Sequence, residues 1–321
     1  MVSADNRLHS ITQSNVLVVG DIMLDRYWFG DVERISPEAP VPIVSVSNRQ
    51  ERMGGAGNVA LNVASLGGKC TLLGIVGNDD AGSSIEQTAG KAGIEHVFTV
   101  DAEAPTSIKQ RIISQNQQLL RADFEGEPSA DSVASLVQCV QQKLNDHDVL
   151  VLSDYGKGSL KSIEQIIESA LKYEIPVFVD PKGDNFLRYS GATMITPNLK
   201  EFELVGGKTS DDQDLENKAK EVIDRFNLKQ LLVTLSDKGM RLFQDSAPTI
   251  HSPARSREVY DVSGAGDTVI AVMAMCLAAS ETPETAMRIA NSAAGIVVSK
   301  LGTATATMEE LQIALDRDAE Q

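Results

Sequence analysis

The chain has 321 residues, 42% hydrophobic and 23% charged, an ordinary globular composition whose length fits one large α/β domain with an appendage, or two domains. A formal net charge of −16 argues against nucleic acid or an anionic membrane surface as the main partner, although a few local cations or a metal can still reverse the field in a cleft. The longest apolar stretch, 269–279, is too short to span a bilayer, and the polar start MVSADNRLHSITQSN lacks a signal-peptide core.

In chain order, short β-branched runs fall at 15–21, 70–77, 148–154, 176–181, 192–197 and 230–236. Helical periodicity falls at 56–66, 82–92, 131–145, 159–173, 211–226, 265–279 and 283–299. Near-continuous apolar strands alternating with helices predict an α/β fold with a mostly parallel sheet buried on both faces. Ligands of such sheets gather at the carboxyl ends of the strands. Two segments break the rhythm, at about 26–52 and 97–125, and both show strand alternation. We read them as a small β lid of three or four strands on a single domain spanning 1–321, and the tail after Met308 as a terminal helix. Exposed strand edges in such a lid tend to pair, which predicts a homodimer. Cys70, Cys139 and Cys276 are far apart among apolar neighbours, so they read as free thiols in a reducing, cytoplasmic setting. The four histidines, at 9, 96, 147 and 251, have no zinc-ligand spacing.

Two glycine-rich stretches carry the chemistry. The first, 53-MGGAGNVALNVASLGG-68, holds Gly55-x-Gly57-x-x-Ala60, a superficial match to the dinucleotide fingerprint. The residues before it are polar and charged, and no acidic residue ends a strand about 20 residues on. A nucleotide-binding oxidoreductase using Gly55 and Gly57 therefore stands as an alternative of a different class. A tightly packed small-residue helix is the bland reading. The favoured one is a loop whose backbone and Asn58 approach a polar ligand.

The second stretch is 261-DVSGAGDTVIAVMAMCLAA-279. Small residues opening an apolar, buried helix leave N–H groups free and aim the positive end of the helix dipole at one spot, with Ser263 as a candidate cap. Gly264, Ala265 and Gly266 would then form an anion hole. No G-x-x-x-x-G-K-[ST] sequence occurs, which excludes a P-loop enzyme. Asp267, beside the hole, is explained if an acceptor hydroxyl lies between it and a phosphoryl group, because the carboxylate then takes the hydroxyl proton. The simpler alternative is that Asp267 only complements the helix dipole.

The motif D-x-[ST]-G-A-G-D resembles the C-terminal signature of the ribokinase / phosphofructokinase-B family of sugar kinases. The resemblance spans nearly the whole chain through 20-GDIMLD-25, the glycines at 54–58, 198-NLKE-201, 234-TLSDKG-239 and Asn291. It implies a three-layer α/β/α ribokinase-like fold with a β lid, ATP as co-substrate with Mg²⁺, and in-line transfer to a sugar hydroxyl. By that resemblance Asp267 is the base. Asp25, Gly54, Gly55 and Asn58 hold sugar hydroxyls, and Asn198 and Glu201 organise Mg²⁺ and phosphate, with Glu201 reaching the metal through water. Thr234, Ser236 and Gly239 lie near the nucleotide, and Asn291 near adenine. Ser236 stands where the family commonly has glycine, and Val262 replaces a frequent threonine.

More narrowly, 21-DIMLDRYWFGDVERISPEAPVPIV-44, 153-SDYGKG-158, 179-VDPKG-183 and 196-TPNLKEFE-203 resemble the branch of that family that phosphorylates the C1 hydroxyl of D-glycero-D-manno-heptose 7-phosphate, for ADP-heptose and lipopolysaccharide core biosynthesis. No H-x-G-H nucleotidyltransferase motif accompanies it. A phosphorylated sugar needs a second anion site. Lys109 and Arg111, two apart on one strand face, and Lys157 are candidates, with Arg121 beside them. Asp154 ends a strand and could bind a hydroxyl or cap a helix. Lys182 also ends a strand and is placed nearer the ATP phosphates. The same kinase with another sugar, and a catalytically dead sugar sensor, are the remaining readings.

Overall fold

The computed structural model describes residues 4–115, 117–245, 247–254 and 259–319. A first helix, α1 (Ala4–Ile11), leads into β1 (Asn15–Gly20), whose VLVV core is wholly buried. Two long strands follow, β2 (Ile22–Ile35) and β3 (Pro42–Gly55), and β3 runs directly into α2 (Ala56–Ser65). Then come β4 (Lys69–Gly77), α3 (Asp80–Lys91), β5 (Glu95–Asp101), β6 (Ser107–Ser114), β7 (Gln117–Phe124) and α4 (Ala130–Lys143). The middle of the chain holds β8 (Val149–Ser153), α5 (Ile163–Lys172), β9 (Val177–Asp180), β10 (Met194–Ile195), α6 (Leu199–Gly206) and α7 (Asp212–Arg225). It ends with β11 (Gln230–Thr234), β12 (Met240–Gln244), β13 (Ile250–Ser252), α8 (Ala265–Ala278), α9 (Pro283–Val297) and α10 (Met308–Ala319).

The main sheet has nine strands in the order β13-β12-β11-β10-β9-β8-β1-β4-β5. From β5 to β11 every pairing is parallel, whereas β12 and β13 join antiparallel at one edge. Strands buried on both faces need cover on both sides. One core layer unites α1, α2, α8, α9 and α10 through residues such as Val59, Ile270, Ala290 and Leu311. The other unites α4, α5 and α7 through Val137, Ile166 and Val222. The result is the expected α/β/α sandwich.

A second sheet of four strands, ordered β3-β2-β6-β7, stands apart from the first. It carries most of the two segments expected to form a lid, with one correction. Residues 95–101 pair in parallel with β4 as the edge of the main sheet. Their EHVFTVD alternation reflects a half-exposed edge strand, which looks the same in sequence as a lid strand.

Candidate active site

The carboxyl ends of β1, β8 and β9 meet the N-terminus of α8 in one place, as expected of doubly wound sheets. The turn into α8 depends on Gly264, whose φ of 80° lies in the left-handed region open to glycine. Ser263 is not the cap. Gly264 occupies that position without a side-chain bond, and the Ser263 N–H instead donates to Asp261 Oδ1 at 2.9 Å. The other oxygen of Asp261 accepts from the Gly302 N–H at 2.9 Å, so this carboxylate fastens the turn to the loop after α9. The Ala265 N–H makes a long 3.3 Å bond to the Val262 carbonyl, and Thr268 N–H closes the first helical turn on Gly264. The N–H groups of Gly266 and Asp267 meet no acceptor among the described residues. A Cβ built on Gly266 would meet nothing within 4 Å. Of the three amides expected to form an anion hole, Gly266 is the most open and Ala265 the most engaged.

Asp267 is 2% exposed. Its Oδ2 accepts from Asn58 Nδ2 at 2.7 Å and its Oδ1 from the Tyr155 hydroxyl at 2.8 Å. Burial pushes its pKa up to about 6; the two donors pull the other way, and the Asp25 carboxylate adds to the rise. A carboxyl in this range is ionised at neutral pH yet basic enough to take a proton. Asn58 is fully buried, and its side-chain oxygen Oδ1 has no partner among the described residues. That buried acceptor lies beside the base, where an acceptor hydroxyl would meet it.

The glycines at 54–57 serve packing. A Cβ on Gly54 would lie 2.6 Å from Asp25 Oδ2, one on Gly55 2.3 Å from the Asp21 carbonyl, and one on Gly57 2.8 Å from Met53 Cβ. A strand does run straight into this turn, contrary to the sequence argument, but it is β3 of the second sheet. The volume that these glycines free is taken by protein, which counts against the dinucleotide reading. Gly54 and Gly55 bring β3 close to β2, which sets Asp25 (2% exposed) against the site.

The second sheet delivers cations. Lys109 and Arg111 on β6 stand opposite Asp25 and Tyr27 of β2. Arg111 donates to Asp25 Oδ1 at 2.6 Å and lies over the Tyr27 ring. It therefore orients Asp25. Lys109 places its ammonium 5.2 Å from the centre of the Tyr155 ring, and burial lowers its pKa. Arg121, opposite Arg111 on β7, pairs with Asp123 at 2.9 Å and is half exposed. Lys157 pairs with Glu125 at the mouth of a cavity of about 370 Å³ that Asp154, Lys161 and Arg188 also line. The backbone of that loop is held by Asp21, which accepts from the N–H groups of Tyr155, Lys157 and Ser159 at 2.9–3.0 Å. Asp154 accepts from Gly156 N–H at 2.8 Å and Tyr189 hydroxyl at 3.0 Å, and meets Arg188 at 3.2 Å. Both its oxygens are committed to the turn.

On the opposite flank, Asn198 and Glu201 form a reciprocal capping box at the start of α6. Glu201 also meets Lys182 at 3.0 Å. Asp180, at the end of β9, is pushed well up by burial and then by the Asp267 and Glu201 charges. Lys182 is the cation of this flank and partly offsets that rise. Among the described residues no group of three or more Asp, Glu, His or Cys forms a metal cage. A hydrated Mg²⁺ shared with substrate phosphates needs only one or two carboxylates, so Glu201 fits that role. Thr234 bridges to Asn198. Ser236 holds φ of 57°, which explains why glycine would be at ease there. A Cβ on Gly239 would lie 2.1 Å from the Ser252 carbonyl, so that glycine keeps the β12–β13 hairpin tight. Asn291 donates to Ser252 Oγ at 2.8 Å and the Pro253 carbonyl at 2.7 Å, anchoring the end of β13.

Sequence reasoning missed Asp21, Asp261 and Tyr155. All three lie inside quoted motifs: Asp21 one residue past β1, Tyr155 two past β8 and Asp261 three before Gly264. The string does not show the partner of Tyr155, 112 residues away.

Comparison with known proteins adds to this geometry. Residues 13–311 match the family described as pfkB family carbohydrate kinase. The chain is 49% identical over 301 residues to a D-beta-D-heptose 7-phosphate kinase of Bordetella bronchiseptica, covering 94% of this chain and 96% of that protein. It is 50% identical over 306 residues to the bifunctional protein HldE of Pseudomonas putida, covering 95% of this chain but only 64% of the HldE chain. The fold matches Arabidopsis thaliana ribokinase complexed with ribose and ATP, with a TM-score of 0.76 at 20% identity over 94% of this chain and 99% of that one. It also matches Escherichia coli phosphofructokinase-2 in complex with substrates and products, with a TM-score of 0.77 at 20% identity over 95% and 99%.

Proposed function

The chain belongs to the pfkB family of carbohydrate kinases, and from that premise we propose that it transfers the γ-phosphoryl group of ATP to the C1 hydroxyl of D-glycero-D-manno-heptose 7-phosphate, giving the 1,7-bisphosphate. A product of this kind serves as a precursor of ADP-heptose for the lipopolysaccharide core. The observation that carries the reading is a buried carboxylate, Asp267, held by two donors beside the open amides of a helix N-terminus.

The acceptor hydroxyl sits between Asp267 and the amides, with Asn58 Oδ1 and Asp25 on the sugar. Asp267 takes its proton as the oxygen attacks. The new bond joins that oxygen to the γ-phosphorus, the bond to the β–γ bridging oxygen breaks, and ADP leaves. The Gly266 and Asp267 N–H groups, with the α8 dipole behind them, receive the charge of the migrating group, a preorganised site that needs no rearrangement during transfer. Glu201, through water, would hold a Mg²⁺ ion, which supplies charge neutralisation at the ATP phosphates. Lys182 and the Asn198–Thr234 corner lie on that nucleotide flank, with Ser236 and Gly239 just beyond.

The phosphate already on the sugar goes to Lys109 and Lys157. Among the described residues Lys109 has no carboxylate ion pair, and Lys157 has an exposed one that an anion can replace. Arg111 keeps Asp25 in place between them. The second sheet acts as the lid, and its edge strands β3 and β7, with Leu120 and Phe124 exposed on the latter, pair two chains into a homodimer. A cytoplasmic location, the setting in which Cys70, Cys139 and Cys276 stay reduced, is part of the same reading.

Release of ADP, measured across a panel of phosphorylated and free sugars, tests the assignment. The heptose 7-phosphate is expected to show the highest kcat/KM. Equal or better turnover of free hexoses or of fructose phosphates would transfer the reading to another sugar.

A further inference from the structure

Nothing in the family signature assigns a role to Tyr155, yet two features meet on it. Its hydroxyl donates to Asp267 Oδ1 at 2.8 Å, and the face of its ring carries the Lys109 ammonium 5.2 Å from the ring centre. The residue is placed with care: Asp21 accepts from its N–H at 2.9 Å, fixing the loop after β8 from the end of β1. Since Asn58 holds the other oxygen of Asp267, the carboxylate is gripped from two separate elements and its plane cannot turn.

We propose that Tyr155 is a positioning residue of the phosphoryl transfer, fixing the Asp267 carboxylate through its hydroxyl and seating Lys109 of the lid through its ring. The inference rests on the kinase reading, because it treats Asp267 as the base. It also joins the two ends of the sugar. One side chain touches both the group that takes the C1 proton and the cation assigned to the distant phosphate. The charge setting of Asp267 is shared among several elements. Asp25 of β2 and Asp180 of β9 oppose its ionisation, and Lys109 of β6 favours it. Asn58 of α2 and the Tyr155 hydroxyl favour it by donation. Removing the hydroxyl alone withdraws a donor to the charged form and leaves the rest unchanged.

Two substitutions separate the two functions. Tyr155→Phe keeps the ring and loses the donor. It is expected to lower kcat about tenfold and move the acid limb of the kcat profile about one pH unit upward, with the sugar-phosphate KM within about twofold. Tyr155→Leu loses both and is expected to raise that KM as well, about fivefold, through the lost cation–π contact. Independently of turnover, the Asp267 carboxyl is titrated by carbon NMR in the wild-type and Phe proteins without substrate. A midpoint raised by the Phe substitution supports the proposal. An unmoved midpoint overturns it, whether or not the protein phosphorylates any sugar. If the wild type turns over no sugar while the midpoint moves, the kinase reading fails and the hold of Tyr155 on the carboxylate stands.

Discussion

Two glycine turns open two helices on the same side of this molecule, and their glycines are there for opposite reasons. At 54–57 the missing side chains let protein approach protein: Asp25, the Asp21 carbonyl and Met53 already fill the places where Cβ atoms would go. At 264–266 the crowding stops at Gly264, whose Cβ would lie 2.7 Å from Asn58 Nδ2, and beyond it the space before Gly266 is empty. The first turn is a joint and the second is a cradle. A motif search sees similar strings. What separates them is whether the volume freed by glycine is claimed by the fold or left for a ligand.

If the second turn is the cradle, the residue that closes it should dominate activity. For Asp267→Asn we expect kcat to fall by roughly 10²–10⁴, the range for loss of a general base. ATP should still bind, since the amides are unchanged; isothermal titration with ATP and Mg²⁺ measures this. In the wild type the ionised carboxylate is the active form. With its pKa at about 6, kcat should be flat above pH 7 and drop towards tenfold per unit below about pH 6. Turnover of the Asn protein within a few-fold of wild type would reduce Asp267 to a partner of the helix dipole.

Gly266→Ala comes next. Its Cβ meets no protein atom, and alanine suits a first helical turn better than glycine. Folding should be unharmed or slightly improved. On the proposed reading the methyl group would stand in the place of the migrating phosphoryl group, and a displacement of about 1 Å costs on the order of 10²-fold in kcat. Full activity with a normal melting temperature would show that the cradle lies elsewhere.

Gly55→Ala tests the joint. Its φ of 59° and the Asp21 carbonyl at 2.3 Å from the new Cβ both oppose the change. Left-handed strain of about 1–2 kcal/mol and overpacking of about 1–3 kcal/mol together predict a loss of roughly 2–5 kcal/mol, read by urea denaturation. A stable Gly55→Ala protein that has lost only activity would make the first turn a ligand loop too, and the comparison would collapse.

Most of the main sheet was legible because its strands are buried on both faces, and a run such as VLVV or LVLS has no other easy explanation. The two antiparallel strands at the edge, β12 and β13, were not. Met240–Gln244 and Ile250–Ser252 are short, and the second is mostly polar. Helix α1 begins in a polar segment, and among its described side chains Leu8 and Ile11 are deeply buried. At the site, Asp267 and Asn58 were legible because local motif chemistry names them. For Asn291, Gly239 and Asp154 the same motifs did not show the contacts these residues make to the fold itself. A role that depends on distant packing, such as the grip of Tyr155 on Asp267 from the loop after β8, leaves no pattern in the string.

The smallest effect is on stability. A buried carboxyl with a pKa raised to about 6 against an ordinary 3.8 holds its proton more tightly folded than unfolded. Its stabilising contribution is complete below about pH 4 and is lost as pH rises through about 6, by about 3 kcal/mol at most. Asparagine carries no such cost. Its carbonyl oxygen can accept from Asn58, and the Tyr155 hydroxyl can turn to accept from its amide. Asp267→Asn should therefore melt with the wild type near pH 4 and a few degrees above it at pH 8. A gap that stays constant with pH would mean that the cradle does not strain its base. Gly55→Ala should show no such pH trend, because the joint holds its glycines by shape alone.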